Sequence, residues 1–154
     1  MRGARTLEAC AGWRDDGTVT WQPTPYVRGE LVVVVDCADL DRAARFWSAV
    51  LGYADAGGDS ATYRSVLPAG GFGVEILLQY TADAKHGKNR LHLDLRTRDL
   101  DAEVSRVLAL GATRQSGEPI EENGWTWHIL LDPDGNEFCV LQPPPDYWPA
   151  KPPD

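Results

Sequence analysis

Leu31-Val32-Val33-Val34-Val35-Asp36, then Asp39-Leu40-Asp41 and an amphipathic run through Phe46, Trp47, Val50 and Leu51 to Gly52, decides the fold, because the chain states this plan twice. The second statement is Leu91-His92-Leu93-Asp94-Leu95-Arg96, then Asp99-Leu100-Asp101 and a run through Val104, Val107, Leu108 and Leu110 to Gly111. Each copy joins an extended apolar run to a helix that an aspartate caps and a glycine stops. An internal repeat of this kind outranks any local propensity.

Working outward, extended material follows both helices: Ala61 to Leu67 and Gly73 to Tyr80, then Trp125 to Leu131 and Glu137 to Gln142. The turns inside these hairpins, Leu67-Pro68-Ala69-Gly70-Gly71 and Asp132-Pro133-Asp134-Gly135-Asn136, are built from residues suited to turns. Tyr53 to Ala56 and Thr113 to Gln115 supply short strands after the helices. The fold class is therefore α+β, with two tandem βαβββ modules at about residues 30–80 and 89–142. Residues 1–29 are expected to form an N-terminal extension with a short strand at Thr18 to Trp21. Residues 143–154 form a proline-rich tail that can be neither helix nor central strand. Tyr147 and Trp148 either pin that tail to the body or close a pocket.

A chain of 154 residues, 43% hydrophobic and 25% charged, has the composition of one soluble domain. A net charge of −8 and an isoelectric point near 4.8 repel phosphates, so nucleic acid is not an expected partner. The first ten residues lack a continuous apolar stretch, which predicts neither signal peptide nor membrane span and a cytoplasmic location. Cys10, Cys37 and Cys139 lack paired spacing and are expected to be reduced thiols.

The duplicated module resembles the vicinal oxygen chelate superfamily, which includes glyoxalase I, extradiol dioxygenases, fosfomycin-resistance enzymes and bleomycin-binding proteins. Asp36-Cys37-Ala38, Phe46-Trp47, the run Lys88 to Leu95, and Asp132-Pro133-Asp134-Gly135-Asn136-Glu137-Phe138-Cys139 are similar to its glyoxalase-like domain subgroup. The resemblance implies a cupped mixed sheet around a small-molecule pocket, often completed in a homodimer. It also implies, in metal-dependent members, one metal ligand from the first strand of each module and one carboxylate from the last. Here Val32 stands opposite His92, and Cys139 stands where the final glutamate belongs. No metal is therefore expected, although a His-Glu-Cys remnant could hold zinc if its members converged.

Strand alternation puts Leu91, Leu93 and Leu95 beneath the helices and His92, Asp94 and Arg96 on the cup side. By the same rule Glu75, Leu77 and Gln79 share a face, whereas Glu137 is read as a turn residue of opposite parity to Cys139, unable to replace the missing carboxylate in the cup. His92, Glu75 and Asp94 are the expected catalytic residues, with His92 and Glu75 as an acid–base pair acting on an oxygenated or carbonyl compound. Gln79, Trp47, Trp125, Trp127, His128 and Cys139 are the expected ligand contacts. His128 has opposite parity to the two strand tryptophans, and Trp47, on a helix, reads equally as a core residue. The alternative is a metal-free binding or resistance protein that sequesters an aromatic or cationic natural product. Lys85, His86, Lys88 and Arg90 read as a solvated linker or an anion-binding rim.

Overall fold

The computed structural model describes residues 25–26, 29–57, 60–71 and 73–148. The strand expected at Thr18 to Trp21 and the tail beyond Trp148 lie outside the described residues. A short antiparallel pair, β1 (Pro25–Tyr26) and β2 (Gly29–Glu30), precedes the first module: β3 (Val32–Cys37), α1 (Leu40–Leu51), β4 (Tyr53–Asp55), β5 (Tyr63–Pro68) and β6 (Glu75–Tyr80). The second module holds β7 (Leu93–Arg96), α2 (Leu100–Ala109), β8 (Thr113–Arg114), β9 (Ile120–Glu122), β10 (Trp125–Leu131) and β11 (Glu137–Gln142).

The two sheets follow one plan. Their orders are β3-β6-β5-β4 and β7-β11-β10-β8, and in each the first strand lies parallel to the last while the other pairs are antiparallel. β8 pairs with the Leu130–Leu131 end of β10 and β9 with its Trp125–Trp127 end, so together they form one interrupted edge strand. β9 is absent from the sequence reading. Its signal was Asn123-Gly124, whose positive φ values of 52° and 81° make the two-residue hairpin that such a pair favours.

The helices start and stop where the repeat indicates. Asp39 accepts the Arg42 N–H at 2.9 Å and Asp99 accepts the Ala102 N–H at 3.0 Å, satisfying donors that a first helical turn leaves unpaired. Gly52 ends α1 at φ 68°, a left-handed conformation that costs glycine little. Arg106 of α2 donates to the Ala49 and Val50 carbonyls at the end of α1, which joins the modules and satisfies two of those carbonyls. Ala43, Phe46, Trp47 and Val50 on α1, and Leu100, Val104 and Val107 on α2, form buried stripes at helical spacing.

These stripes meet Val66, Ile76, Leu78, Leu130, Phe138 and Val140 from the strands in one core. Phe46, Trp47 and Phe138 pack edge-to-face there, with centroids 5.2 to 6.0 Å apart. Beside them the Asp132–Asn136 turn clamps the modules. Asp132, buried, accepts the Trp47 indole N–H at 3.3 Å, the Asp134 and Asn136 backbone N–H groups at 2.9 and 2.8 Å, and the Asn136 amide at 3.0 Å. Burial raises its carboxyl above the ordinary range, against the pull of those donors. Asn136 also donates to the Asp36 carbonyl, and Asp134 accepts from the Ala38 N–H and from Arg42.

One strand boundary corrects the sequence reading. β7 begins at Leu93, and Leu91, expected beneath the helices, is 76% exposed. Strand alternation assigns a face only where a strand is paired, and the register of β7 on β11 runs from Leu93↔Phe138 to Arg96↔Leu141.

Candidate functional site

The second module's sheet carries a cavity of about 360 Å³. His92, just before β7, and Asp94 on it form one side; Cys139 and Leu141 of β11 form the floor. Trp125 and Trp127 of β10 form the far wall, and Glu122 and Asn123 of the β9–β10 hairpin form the rim. The arrangement follows from alternation: Leu93 and Leu95 face the core, as do Phe138 and Val140, so the residues between them face the cavity. The volume lies at the lower end of the roughly 300–1,000 Å³ usual for small-molecule sites.

The polar end of this cavity is compact. His92 Nε2 lies 3.3 Å from Asp94 Oδ1, and the donor atoms of His92, Asp94 and Cys139 all lie within 4.8 Å of one another. His92 and Asp94 are partly open to solvent whereas Cys139 is 6% exposed. Burial, with the Asp94 charge and hydrogen bond adding to it, pushes the Cys139 thiol up to about 11, so it is protonated at neutral pH and is no ready nucleophile.

The tail borders the aromatic wall. Tyr147 packs edge-on to Trp125 with centroids 5.1 Å apart, and Trp148 packs edge-on to Tyr147 at 5.0 Å. The Arg96 guanidinium sits over the Trp125 ring at 5.2 Å and donates to the Tyr147 hydroxyl. Arg98 sits over Trp148 at 5.2 Å.

The remaining expected site residues stand elsewhere. Glu75 faces the first module's own sheet, where it accepts the Ser65 hydroxyl at 2.6 Å, and it does not line the cavity that holds His92. Gln79 lies on β6 opposite Asp36 and Tyr63. His128 is 4% exposed on the core side of β10, against Arg114 at 3.2 Å; burial and that guanidinium depress its pKa. It therefore faces away from Trp125 and Trp127, and the expectation of a ligand contact there is corrected. Trp47 is 2% exposed, with its indole N–H given to Asp132, so it is a core residue. Its other edge borders a smaller inter-module cavity of about 140 Å³ that His92 also lines.

Strand register corrects a further reading. Aligning the caps Asp39 and Asp99 makes Val32 equivalent to His92, and β3 pairs Val32↔Glu75 and Val34↔Leu77 while β7 pairs Leu93↔Phe138 and Asp94↔Cys139. Glu75 thus corresponds to Glu137, and Leu77 to Cys139. Glu137 shares the Cys139 face of β11, two residues earlier, contrary to the expected turn orientation. Its carboxylate is taken by Lys85 at 2.8 Å and the Asn89 N–H at 3.0 Å, and Lys85 holds it below the ordinary range. The four-ligand metal site shared between modules does not fit: Val32 and Leu77 have no lone pair to offer, and of the four positions only His92 keeps the residue such a site needs. Glu122, Asn123 and Leu141 were missed as lining residues, the first two because the β9–β10 hairpin went unread.

The sequence profile of the glyoxalase-like domain family matches residues 32–141. No curated protein matches the chain. Among solved structures, it is similar to a glyoxalase/bleomycin resistance protein/dioxygenase family enzyme from Burkholderia phytofirmans PsJN, at 21% identity and a TM-score of 0.59, covering 72% of this chain and 95% of that one. A glyoxalase/bleomycin resistance protein from Albidiferax ferrireducens T118 shares 23% identity at a TM-score of 0.51, covering 73% and 96%. The fosfomycin resistance protein FosX from Listeria monocytogenes, solved with Mn(II) and a dihydroxypropylphosphonic acid, shares 16% identity at a TM-score of 0.59, covering 75% and 90%. With the profile covering most of its length and both halves folded as βαβββ modules, this chain belongs to the glyoxalase-like domain family, within the vicinal oxygen chelate superfamily.

Proposed function

We propose that this protein binds a small, flat aromatic compound in the cavity of its second module, stacking it on Trp125 and Trp127 and holding its polar head against His92 and Asp94. The observation that carries this is the shared exposure of two tryptophans from one strand to a cavity whose opposite side is polar. Aromatic rings offer a large contact area with little loss of side-chain freedom, and a few fixed polar groups orient what they hold. The test is titration of the protein with a panel of planar heteroaromatic compounds, followed by tryptophan fluorescence. A saturable ligand should bind Trp127→Ala five- to thirtyfold more weakly, equivalent to about 1–2 kcal/mol of stacking. A panel without a binder, or a binder indifferent to Trp127→Ala, would refute the reading.

A second reading rests on the 3.3 Å approach of Asp94 to His92, which suits a histidine oriented for proton transfer on a bound carbonyl or oxygenated compound. Asp94, rather than Glu75, is the partner in this arrangement. Under it, His92→Gln abolishes turnover of the bound compound yet keeps its binding within threefold; a compound recovered unchanged from the wild type favours sequestration instead.

A further inference from the structure

We propose that the cleft between the carboxyl ends of β3 and β6 and the Asp132–Asn136 turn is a second ligand site, which takes an aliphatic diamine cation between Asp134, Asp36 and Asp83. It shares no residue with the cavity that His92 and Asp94 line, so it stands or falls apart from the aromatic-ligand reading.

The cleft, about 440 Å³, is built by the junction of the modules. β3 and β6 run parallel and end together, tied by the Thr81 N–H on the Cys37 carbonyl at 2.9 Å. Asp36 and Ala38 come from the end of β3, Asp83 and Ala84 from the chain leaving β6, and Pro133 and Asp134 from the second module's turn.

Asp134 supplies the observation that asks for a ligand. Its side chain is 8% exposed; Oδ1 accepts the Ala38 N–H at 2.8 Å and the Arg42 guanidinium at 2.7 Å, whereas Oδ2 is buried and accepts nothing. A buried carboxylate oxygen without a partner calls for a donor, and the cleft that Asp134 lines is where one can stand. The charge there is one-sided. No ion pair among the described residues engages Asp36 or Asp83, and Lys85, which also lines the cleft, gives its ammonium to Glu137 at 2.8 Å and the Gly87 carbonyl at 2.6 Å. Burial, and after it the Asp134 charge with Asp132 and Asp36 adding, pushes the Cys37 thiol in the cleft wall up to about 11, the direction a negative potential dictates.

The same features choose the cation. The three carboxylates do not converge closely enough to share one metal ion. No aromatic ring lines the cleft among the described residues, so a quaternary ammonium, which donates no N–H and is held on ring faces, fits poorly. A primary ammonium brings three donors and needs no closed shell of ligands. One end of a diamine gives Oδ2 the donor it lacks, the methylenes lie against Ala38, Ala84 and Pro133, and the other end answers Asp36 and Asp83.

Calorimetric titration of the full chain with putrescine at low ionic strength tests the site, with magnesium chloride as the control for a dication that only screens charge. Saturable uptake of one equivalent of putrescine, tighter than any uptake of magnesium, is expected. Asp134→Asn keeps an oxygen for Ala38 and Arg42 but turns the Oδ2 position into a donor, so affinity should fall at least about tenfold. Asp36→Asn combined with Asp83→Asn, at two exposed positions, should weaken binding about two- to fivefold and leaves the fold intact should Asp134→Asn not melt cooperatively. Asp101→Asn, an exposed carboxylate on α2 outside the cleft, should change nothing. Absence of saturable heat, putrescine bound no better than magnesium, affinity unchanged in the Asp36 and Asp83 double variant, or an equal loss in Asp101→Asn would overturn the site, while the fluorescence titration judges the aromatic ligand separately.

Discussion

Asp132→Asn tests the clamp between modules with almost no change of shape. One carboxylate oxygen accepts the Asp134 and Asn136 backbone N–H groups, and a carboxamide oxygen can do the same. The other accepts the Trp47 indole N–H and the Asn136 side-chain amide, and there the variant presents an NH2 group to two donors. Asn136 could rotate its amide to accept, but it would then surrender its bond to the Asp36 carbonyl. Two buried hydrogen bonds at about 1–1.5 kcal/mol each, plus about 1–3 kcal/mol for a donor left unpaired, are offset in part by relief from burying an ionised carboxylate. The net expectation is a loss of about 2–4 kcal/mol, or roughly 5–15 °C in Tm for a chain of this length. Urea unfolding at pH 7 measures it. A cycle with Trp47→Phe, which removes one of the facing donors, should show about 1 kcal/mol of coupling. A loss below about 0.5 kcal/mol, or strict additivity in the cycle, would refute the account of the clamp.

Leu93→Ala should cost about 2–4 kcal/mol because Leu93 packs against the core, whereas Leu91→Ala should stay within about 0.5 kcal/mol; equal losses in thermal melts would mean that β7 starts earlier. His128 is held neutral in the fold, its pKa below the unfolded value near 6.5, so the unfolded chain binds the proton more readily and stability should fall as pH drops below about 6.5. His128→Gln should flatten that part of a stability–pH profile, and an unchanged slope would assign it to other groups. β3 and β7 are edge strands and Val34 is 52% exposed on the open face of β3, which favours a homodimer; sedimentation as a 16.9 kDa monomer would count against it.

Much of the fold was legible because each statement of the repeat brings its own punctuation. Asp39, Asp99, Gly52 and the Asp132–Asn136 turn act on neighbours in sequence, so one chain suffices to read them. His92 and Asp94, two residues apart on one run, do come within 3.3 Å of each other, although only Asp94 belongs to the paired strand. What could not be read was anything that depends on how strands pair. Glu75 was assigned by parity alone, which gives a face but not a position along it, and the β6 register makes its counterpart Glu137 rather than Cys139. For His128 parity left two faces open, and the choice between them came from the core that Leu130 joins.

The same division explains why the family signature identifies the fold so well and the chemistry so poorly. Phe46 and Trp47 build the aromatic core, Asp36 and Ala38 offer backbone groups to the Asn136 and Asp134 side chains, and Asp132 collects the donors of the turn. All of these residues join one module to the other, a task that any protein made from two such modules must perform whatever its pocket contains. The residues that face the cavity carry a different burden. Among the signature stretches only His92, Asp94 and Cys139 reach it, and Cys139 stands where metal-dependent relatives are expected to carry a carboxylate. Trp125, Trp127 and Glu122, which shape the rest of the cavity, lie outside the signature altogether. In this chain the clamp and the pocket therefore use nearly separate residues, so a change of ligand or reaction can leave the signature intact.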